Sequence, residues 1–280
     1  MKSWSRRAAK RGLTLIELVI VVAILGVLAA MLLPKFEGLQ TAANHAAAAG
    51  SATDAARLIE SYKAAKTVYP NYWDSLLNGT SLWTAANVGT KTMGLDTELV
   101  GNGATVDKLI LGSALTTTQS LAMSKVGITT ITGLTATLSL SGYRPGDMFT
   151  TAMPVTGAAL ATINAGSSGG KKIIDHIYPQ NLQPTGSGSG TINPTSTISG
   201  DTQLIVFGLG PQNSLVPNSM MEAPTYGNDD ALYVYNRLLA VFELTGFAGG
   251  SAKCTFRTML GGDGDLISDM SQALQTSTGL

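Results

Sequence analysis

The sequence predicts an α+β chain in which one long amino-terminal helix carries a mixed α/β head with an antiparallel sheet. Three observations predict it. A helical pattern runs from Leu13 to about Val68; its first part, Leu13 to Leu33, is apolar apart from Thr14 and Glu17; and residues 70–280 mix short helical patterns with alternating strands. At 1.5 Å per residue the helix is about 80 Å long, a length that a soluble domain seldom contains. The first half reads as transmembrane and the second as amphipathic.

Composition narrows the class. The 280 residues include 18 Lys and Arg against 18 Asp and Glu, with 13% charged residues and a mean hydropathy of +0.20. A charged fraction so far below the roughly 25% of an average soluble domain argues against disorder, a coiled coil or a nucleic-acid binder. Single Cys254 excludes an internal disulfide and a cysteine zinc cluster. The neutral total hides an asymmetry. Lys2, Arg6, Arg7, Lys10 and Arg11 lie in the first 12 residues with no acidic residue; the remainder holds 13 basic against 18 acidic residues, a formal −5. Basic residues beside an apolar run hold that end in the cytoplasm, and about 20 apolar residues span a bilayer, so the head is expected outside it.

Two processing fates compete for this segment. A secretory signal peptide would be cut near Ala29 and Ala30, and the soluble chain would begin near Met31. Alternatively the cut falls after Gly12 and the run stays as an anchor. Glu17 separates the two, because a carboxylate in a membrane helix costs on the order of 2.5–3.5 kcal/mol and usually has a partner, whereas a disposable signal gains nothing from one.

The run from Arg11-Gly12-Leu13-Thr14-Leu15-Ile16-Glu17 through Gly26 to Pro34 resembles the amino terminus of type IV pilins and type II secretion pseudopilins. Gly12 matches the residue before the prepilin peptidase cut, Glu17 is fifth from Leu13, and Gly26 and Pro34 fall where that family keeps helix-loosening residues. Leu13 replaces the commoner phenylalanine at the new amino terminus. The resemblance covers roughly the first 55 residues and implies a pilin-like fold in three parts: a leader over 1–12, a spine helix over 13–69 with 13–33 in the membrane, and a periplasmic or extracellular head over 70–280. It also implies cleavage by prepilin peptidase, N-methylation of Leu13, and pairing of Glu17 with the Leu13 amino group of a neighbouring subunit. Such a pair fixes register more than it stabilises, since desolvation offsets much of the attraction. Extension or bending is expected between Gly26 and Pro34, which weaken the helix by backbone entropy and by a lost amide hydrogen.

Beyond Pro34, Phe36, Leu39, Ala42, Ala46, Ala49, Ala56, Ile59 and Tyr62 recur near helical spacing, and Pro70 is expected to end the element. In the head, Asn71–Leu77, Val106–Leu115 and Thr117–Val126 read as short helices. Ile128–Ile131, Thr135–Ser141, Lys172–Tyr178 and Gln203–Gly208 read as strands. Alternation from Leu232 to Leu244, a Gly-rich turn at Gly246–Gly250 and alternation from Lys253 to Thr258 make a hairpin. Pro184–Gly200 reads as a loop.

The residues offer little for catalysis. Only His45 and His176 are present, with no metalloprotease, phosphate-loop or nucleophile-elbow pattern, and the chain is not expected to be an enzyme. Cys254 is expected to be a buried thiol. Asp263, Asp265 and Asp269 lie on a Gly-rich turn whose composition suits a hard cation, and the resemblance adds Ca²⁺, which major pseudopilins hold in a C-terminal loop. The competing reading makes Asp263 a turn former and Asp265 the cap of a final helix. No other cofactor is expected.

These readings point to a structural subunit of a type II secretion pseudopilus or type IV pilus-like filament, with pseudopilin in protein secretion favoured. The alternatives are a type IV pilin in adhesion, motility or DNA uptake, and a secreted or membrane-tethered binding module. Implied partners are further copies or related subunits, prepilin peptidase, an inner-membrane assembly platform and a cytoplasmic ATPase, with no nucleic acid. The implied location is single-pass in the inner membrane, then a periplasmic or extracellular filament.

Overall fold

The structure is a computed structural model that describes residues 14–84, 86–88, 91–101, 107–134, 145–178, 202–226, 234–246 and 250–270, with the backbone alone over 32–42, 86–88 and 91–92. Helix α1, Leu15–Lys66, is a single α-helix of 52 residues. It starts where Thr14 caps it and ends where Thr67 turns left-handed (φ 63°) and returns its amide to the Lys63 carbonyl at 2.8 Å. Termination therefore comes from Thr67, three residues before Pro70.

The head follows in chain order. Short strands β1 (Trp73–Asp74), β2 (Leu77–Asn78), β3 (Ser81–Leu82), β4 (Ala86–Val88) and β5 (Lys91–Met93) precede α2 (Thr97–Val100) and β6 (Leu109–Leu111). Then come α3 (Thr117–Lys125), β7 (Thr130–Leu134), a 3-10 turn (Pro145–Asp147), β8 (Phe149–Pro154), β9 (Ala161–Ile163) and α4 (Ser168–Ile177). Strand β10 (Thr202–Gly208), α5 (Leu215–Ser219), β11 (Leu239–Thr245) and β12 (Lys253–Leu260) complete the described elements.

Eight strands form one mixed sheet. Its spine is β12-β11-β10, all antiparallel, and beyond β10 it forks: β1 pairs at Gly208 and leads to β7 and β8, while β9 pairs at Ile205 and leads to β6. The pair β1–β7 is parallel. The fork is possible because β10 is long enough for two short strands to share its edge. At its β1 end the chains approach closely: a Cβ on Gly208 would lie 1.8 Å from the Tyr235 hydroxyl, so only glycine fits.

The sheet is covered on both faces, which explains why β10 and β11 are buried nearly throughout. Alternate residues feed opposite cores. Ile205, Phe207, Ala240, Phe242 and Leu244 join Ala48, Ala52, Ala55 and Ile59 of α1, with Met123 of α3 and Leu215 of α5. Leu204, Val206, Leu239 and Val241 join Leu99 of α2, Ile173 and Ile174 of α4, and Trp83. The buried positions 48, 52, 55 and 59 alternate steps of four and three, the spacing of one helix face. Alanine at the first three lets the backbone of α1 come close to β12 and α5.

Several sequence expectations are met. The spine, α3 and the strand at 203–208 form where the pattern puts them, and the expected hairpin forms with a shorter first strand, turning through Gly246 and Gly250 at φ 72° and 73°. Three are corrected. Asn71–Leu77 is not a helix, since Tyr72 and Leu76 take left-handed φ of 61° and 63°, and Asn71 clamps the amides of Thr129 and Thr130 with its Oδ1 at 3.1 and 2.9 Å. In 106–115 the described residues hold strand β6, paired with β9; a short apolar run such as Leu109–Leu111 has no periodicity that separates strand from helix. Lys172–Tyr178 lies in helix α4, whose amino end is capped by the Ser167 hydroxyl on Gly170 N at 2.9 Å. The strand expected from Leu232 begins only at Leu239, and the one expected at Ile128–Ile131 runs from Thr130 to Leu134. Thr135–Ser141 and Pro184–Gly200 lie outside the described residues.

Candidate assembly and processing site

The amino-terminal end of α1 is organised around Glu17. Its Oε2 accepts from the Thr14 amide at 2.8 Å and the Thr14 hydroxyl at 2.9 Å, while Thr14 Oγ1 accepts from Glu17 N at 3.3 Å. This is a reciprocal capping box, which satisfies two of the amides that a helix start leaves without partners. Reading Glu17 only as an intersubunit residue misses this local role, and the Thr-x-x-Glu spacing is the signal for it. The carboxylate is thereby turned back onto Thr14. Gly12 and Leu13 themselves lie outside the described residues.

Behind Glu17 the helix shows apolar side chains on every side, from Leu15 at 81% exposure to Val21 at 46%, as far as Met31. Among the described residues no protein surface covers them. Among the described residues no helix is long and apolar enough to cross a membrane. Gly26 sits within this stretch with nothing within 4 Å of a Cβ placed on it, and α1 passes through Gly26 and Pro34 as one α-helix. Full burial on α1 begins at Ala48 among the described side chains.

The junction of spine and head is built from polar contacts. The Tyr69 hydroxyl receives Lys63 Nζ from α1 and accepts from the Phe256 amide of β12 at 3.0 Å. Asn71 donates its amide to Ser214 Oγ at 2.8 Å and receives the Ser214 amide on its carbonyl at 3.0 Å, which ties this junction to α5. His45 of α1 meets Tyr226 across a 3.3 Å contact between Nδ1 and the hydroxyl.

The three aspartates after β12 separate. Asp263 Oδ1 accepts from Asp265 N at 2.9 Å, a local turn, and its carboxylate is hydrogen-bonded by Tyr226. Asp265 Oδ1 pairs with Lys108 at 2.8 Å. Asp269 is exposed, in a helical turn whose first bonds run from the amides of Asp269 and Met270 to Leu266 O. Among the described residues no three His, Cys, Asp or Glu side chains converge as metal ligands. Burial, and then the charge of Asp265, raise the Asp263 carboxyl above its ordinary range.

Elsewhere, Cys254 is buried and its thiol is pushed up to about 12 by burial. His176 is exposed on α4. One buried carboxylate escapes sequence inspection: Asp74 on β1 accepts from Thr132 Oγ1 at 2.7 Å and the Tyr235 hydroxyl at 2.8 Å. Burial raises its pKa to about 7 against those two bonds.

The described part of the chain therefore joins an apolar helix surface, with a capped carboxylate at its amino end, to a folded head. Residues 7–33 match the prokaryotic N-terminal methylation motif, so the chain carries a type IV pilin/pseudopilin-type prepilin signal. That motif implies processing by prepilin peptidase and filament assembly, and proteins that carry it in this way are structural subunits. No curated protein and no solved structure matches the chain.

Proposed function

We propose that this chain is a filament subunit that prepilin peptidase cuts between Gly12 and Leu13, that is held in the inner membrane by residues 13–33, and that polymerises through the apolar half of α1 with residues 70–280 displayed outside. The observation that carries the proposal is the methylation motif on a helix whose described residues Leu15–Met31 expose apolar side chains on all sides. A helix apolar all round needs surroundings on every side, which a bilayer or several neighbouring helices supply. Glu17 gives the assembly its register. With Oε2 engaged by Thr14, Oε1 is the oxygen that the neighbour's amino group would take. Gly26 and Pro34 are the positions where the helix would lengthen or bend as it leaves the bilayer.

Within this class we favour a pseudopilin of a type II secretion system, because one cysteine cannot close the C-terminal disulfide loop that many adhesive pilins have. The test is the mass of the amino-terminal peptide of protein recovered from cells. A peptide that starts at Leu13 and is heavier by one methyl group supports the reading. A start near Met31 refutes it and leaves a secreted domain. Glu17→Ala should abolish filaments while membrane insertion persists; a variant that still polymerises removes Glu17 from assembly.

A further inference from the structure

The family resemblance brings Ca²⁺ to the turn after β12, and the donor atoms there do not fit it. Calcium takes six to eight oxygens at about 2.3–2.6 Å, so several oxygens must converge on one point. In this turn the oxygens converge on Lys108 instead. Its Nζ lies 2.8 Å from Asp265 Oδ1, 2.9 Å from the Asp263 carbonyl and 3.2 Å from Glu98 Oε2. An ammonium has three donors, and these three oxygens use all of them.

The lysine is held as a packed part of the head. Its side chain is only 13% exposed, and its stem runs over Gly264. There φ is +81°, and a Cβ would lie 2.6 Å from Leu99 Cδ2 and 2.9 Å from Lys108 Cδ. Glycine at 264 therefore serves the turn and the passage of the lysine together. The other two carboxylates of the turn are committed or exposed. Asp263 spends Oδ1 on the Asp265 amide, and Asp269 is exposed. Glu98 is 64% exposed, so water screens its charge and the balance inside is chiefly Lys108 against Asp265.

We infer that Lys108 is the resident cation of this turn, its ammonium standing where a metal ion would stand, so that closure of the C-terminal turn onto α2 and the start of β6 needs no calcium. The clasp reaches the spine as well, since Asp263 is bonded by Tyr226 and Tyr226 meets His45 of α1. The inference does not depend on the filament reading. Burial opposes the charge on Lys108, but the bond and charge of Asp265, with Asp263 and Glu98, outweigh it and hold the ammonium above lysine's ordinary range.

The experiment is thermal unfolding of the full chain in detergent, in chelator and through a titration of CaCl₂ into the millimolar range, for wild type and for Lys108→Met, which keeps the stem and removes the charge. The expected result is a wild-type melting point that neither reagent moves, and a variant that melts roughly 5–10 °C lower in chelator because Asp265 loses its partner. A wild type that calcium stabilises and chelator destabilises overturns the inference, as does a variant that melts with the wild type. Should Lys108→Met fail to fold, binding of radioactive calcium to the wild type still decides: none supports the resident ammonium, and stoichiometric binding refutes it.

Discussion

Replacing Asp74 by asparagine should uncouple the stability of the head from pH. Asp74 is fully buried on β1, where the sheet forks, with both hydrogen bonds coming from hydroxyls, those of Thr132 and Tyr235. Burial raises its pKa from 3.8 to about 7. Between those two values the unfolded chain has released the proton and the folded chain still holds it, so stability falls as pH rises. At about 1.4 kcal/mol per tenfold change in proton affinity, the loss from pH 4 to pH 8 is on the order of 4 kcal/mol. That is a large part of a net stability of roughly 5–15 kcal/mol, and it lowers the melting point by about 10 °C for a domain of this size. Asparagine is close in shape to the protonated acid and cannot ionise; its NH2 must donate to one of the two hydroxyls, which can turn to accept. The two proteins should therefore match near pH 4 and separate above about pH 5, with Asp74→Asn the more stable by several kcal/mol at pH 8. Urea unfolding followed by circular dichroism at closely spaced pH values measures the separation. Asp263, also raised, contributes equally to both proteins and cancels in the difference. Parallel curves would refute the reasoning, because they would mean that Asp74 has the same proton affinity folded and unfolded.

Two further outcomes follow from the seat of α1. Tyr69→Phe removes the acceptor of the buried Phe256 amide and should cost about 1–3 kcal/mol; hydrogen exchange at Phe256 should quicken, and an unchanged rate would sink the assignment. Ala52→Leu pushes added carbons into the seam between α1 and the sheet, where Ala52 has no exposed surface, and should cost about 1–3 kcal/mol in urea unfolding. The same change at exposed Ala47 should move stability by less than about 0.5 kcal/mol, and equal effects at the two positions would refute the packing.

What the sequence shows and what it hides divides along the range of the interactions. The spine is legible because every residue from Leu15 to Lys66 makes its backbone bonds within four residues, and the assembly signal is legible because it is a linear motif. The β11–β12 hairpin is legible for the same reason, its partners being joined by one Gly-rich turn. Asn71–Leu77 misleads because its conformation is imposed from outside: Asn71 is held by Thr129, Thr130 and Ser214, and Tyr72 and Leu76 accept left-handed backbones. Ile173 and Ile174 suggest a strand by their branching, yet with Ile177 they make a helix face once Ser167 caps the turn. Lys108 leaves no trace in the sequence, since two of its three partners are Asp263 and Asp265, 155 and 157 residues away. Asp74 is hidden likewise, because nothing local marks a carboxylate whose partners stand on β7 and beside β11.

The division of α1 into an exposed and a buried half bears on how such a subunit could change surroundings without unfolding. Roughly a dozen large apolar side chains of Leu15–Met31 lie exposed, and covering them at about 1.5–3 kcal/mol each is worth on the order of 20 kcal/mol, more than the net stability of most domains. That gain favours removing the segment from water. None of its side chains belongs to either core cluster of the head; the cores take α1 only from Ala48 onward, through the alanine face that seats it against β12 and α5. In the proposed filament, exchanging lipid for neighbouring helices around residues 15–31 therefore leaves the head's own contacts unchanged. Any strain of that exchange would fall on the helix between Gly26 and Ala48, where both Pro34 and the last stretch before the head lie. The box formed by Thr14 and Glu17 belongs to the same economy of contacts: it satisfies the first amides of the helix from within the chain, so in the proposed filament the end that passes from lipid to protein would carry its own polar partners with it.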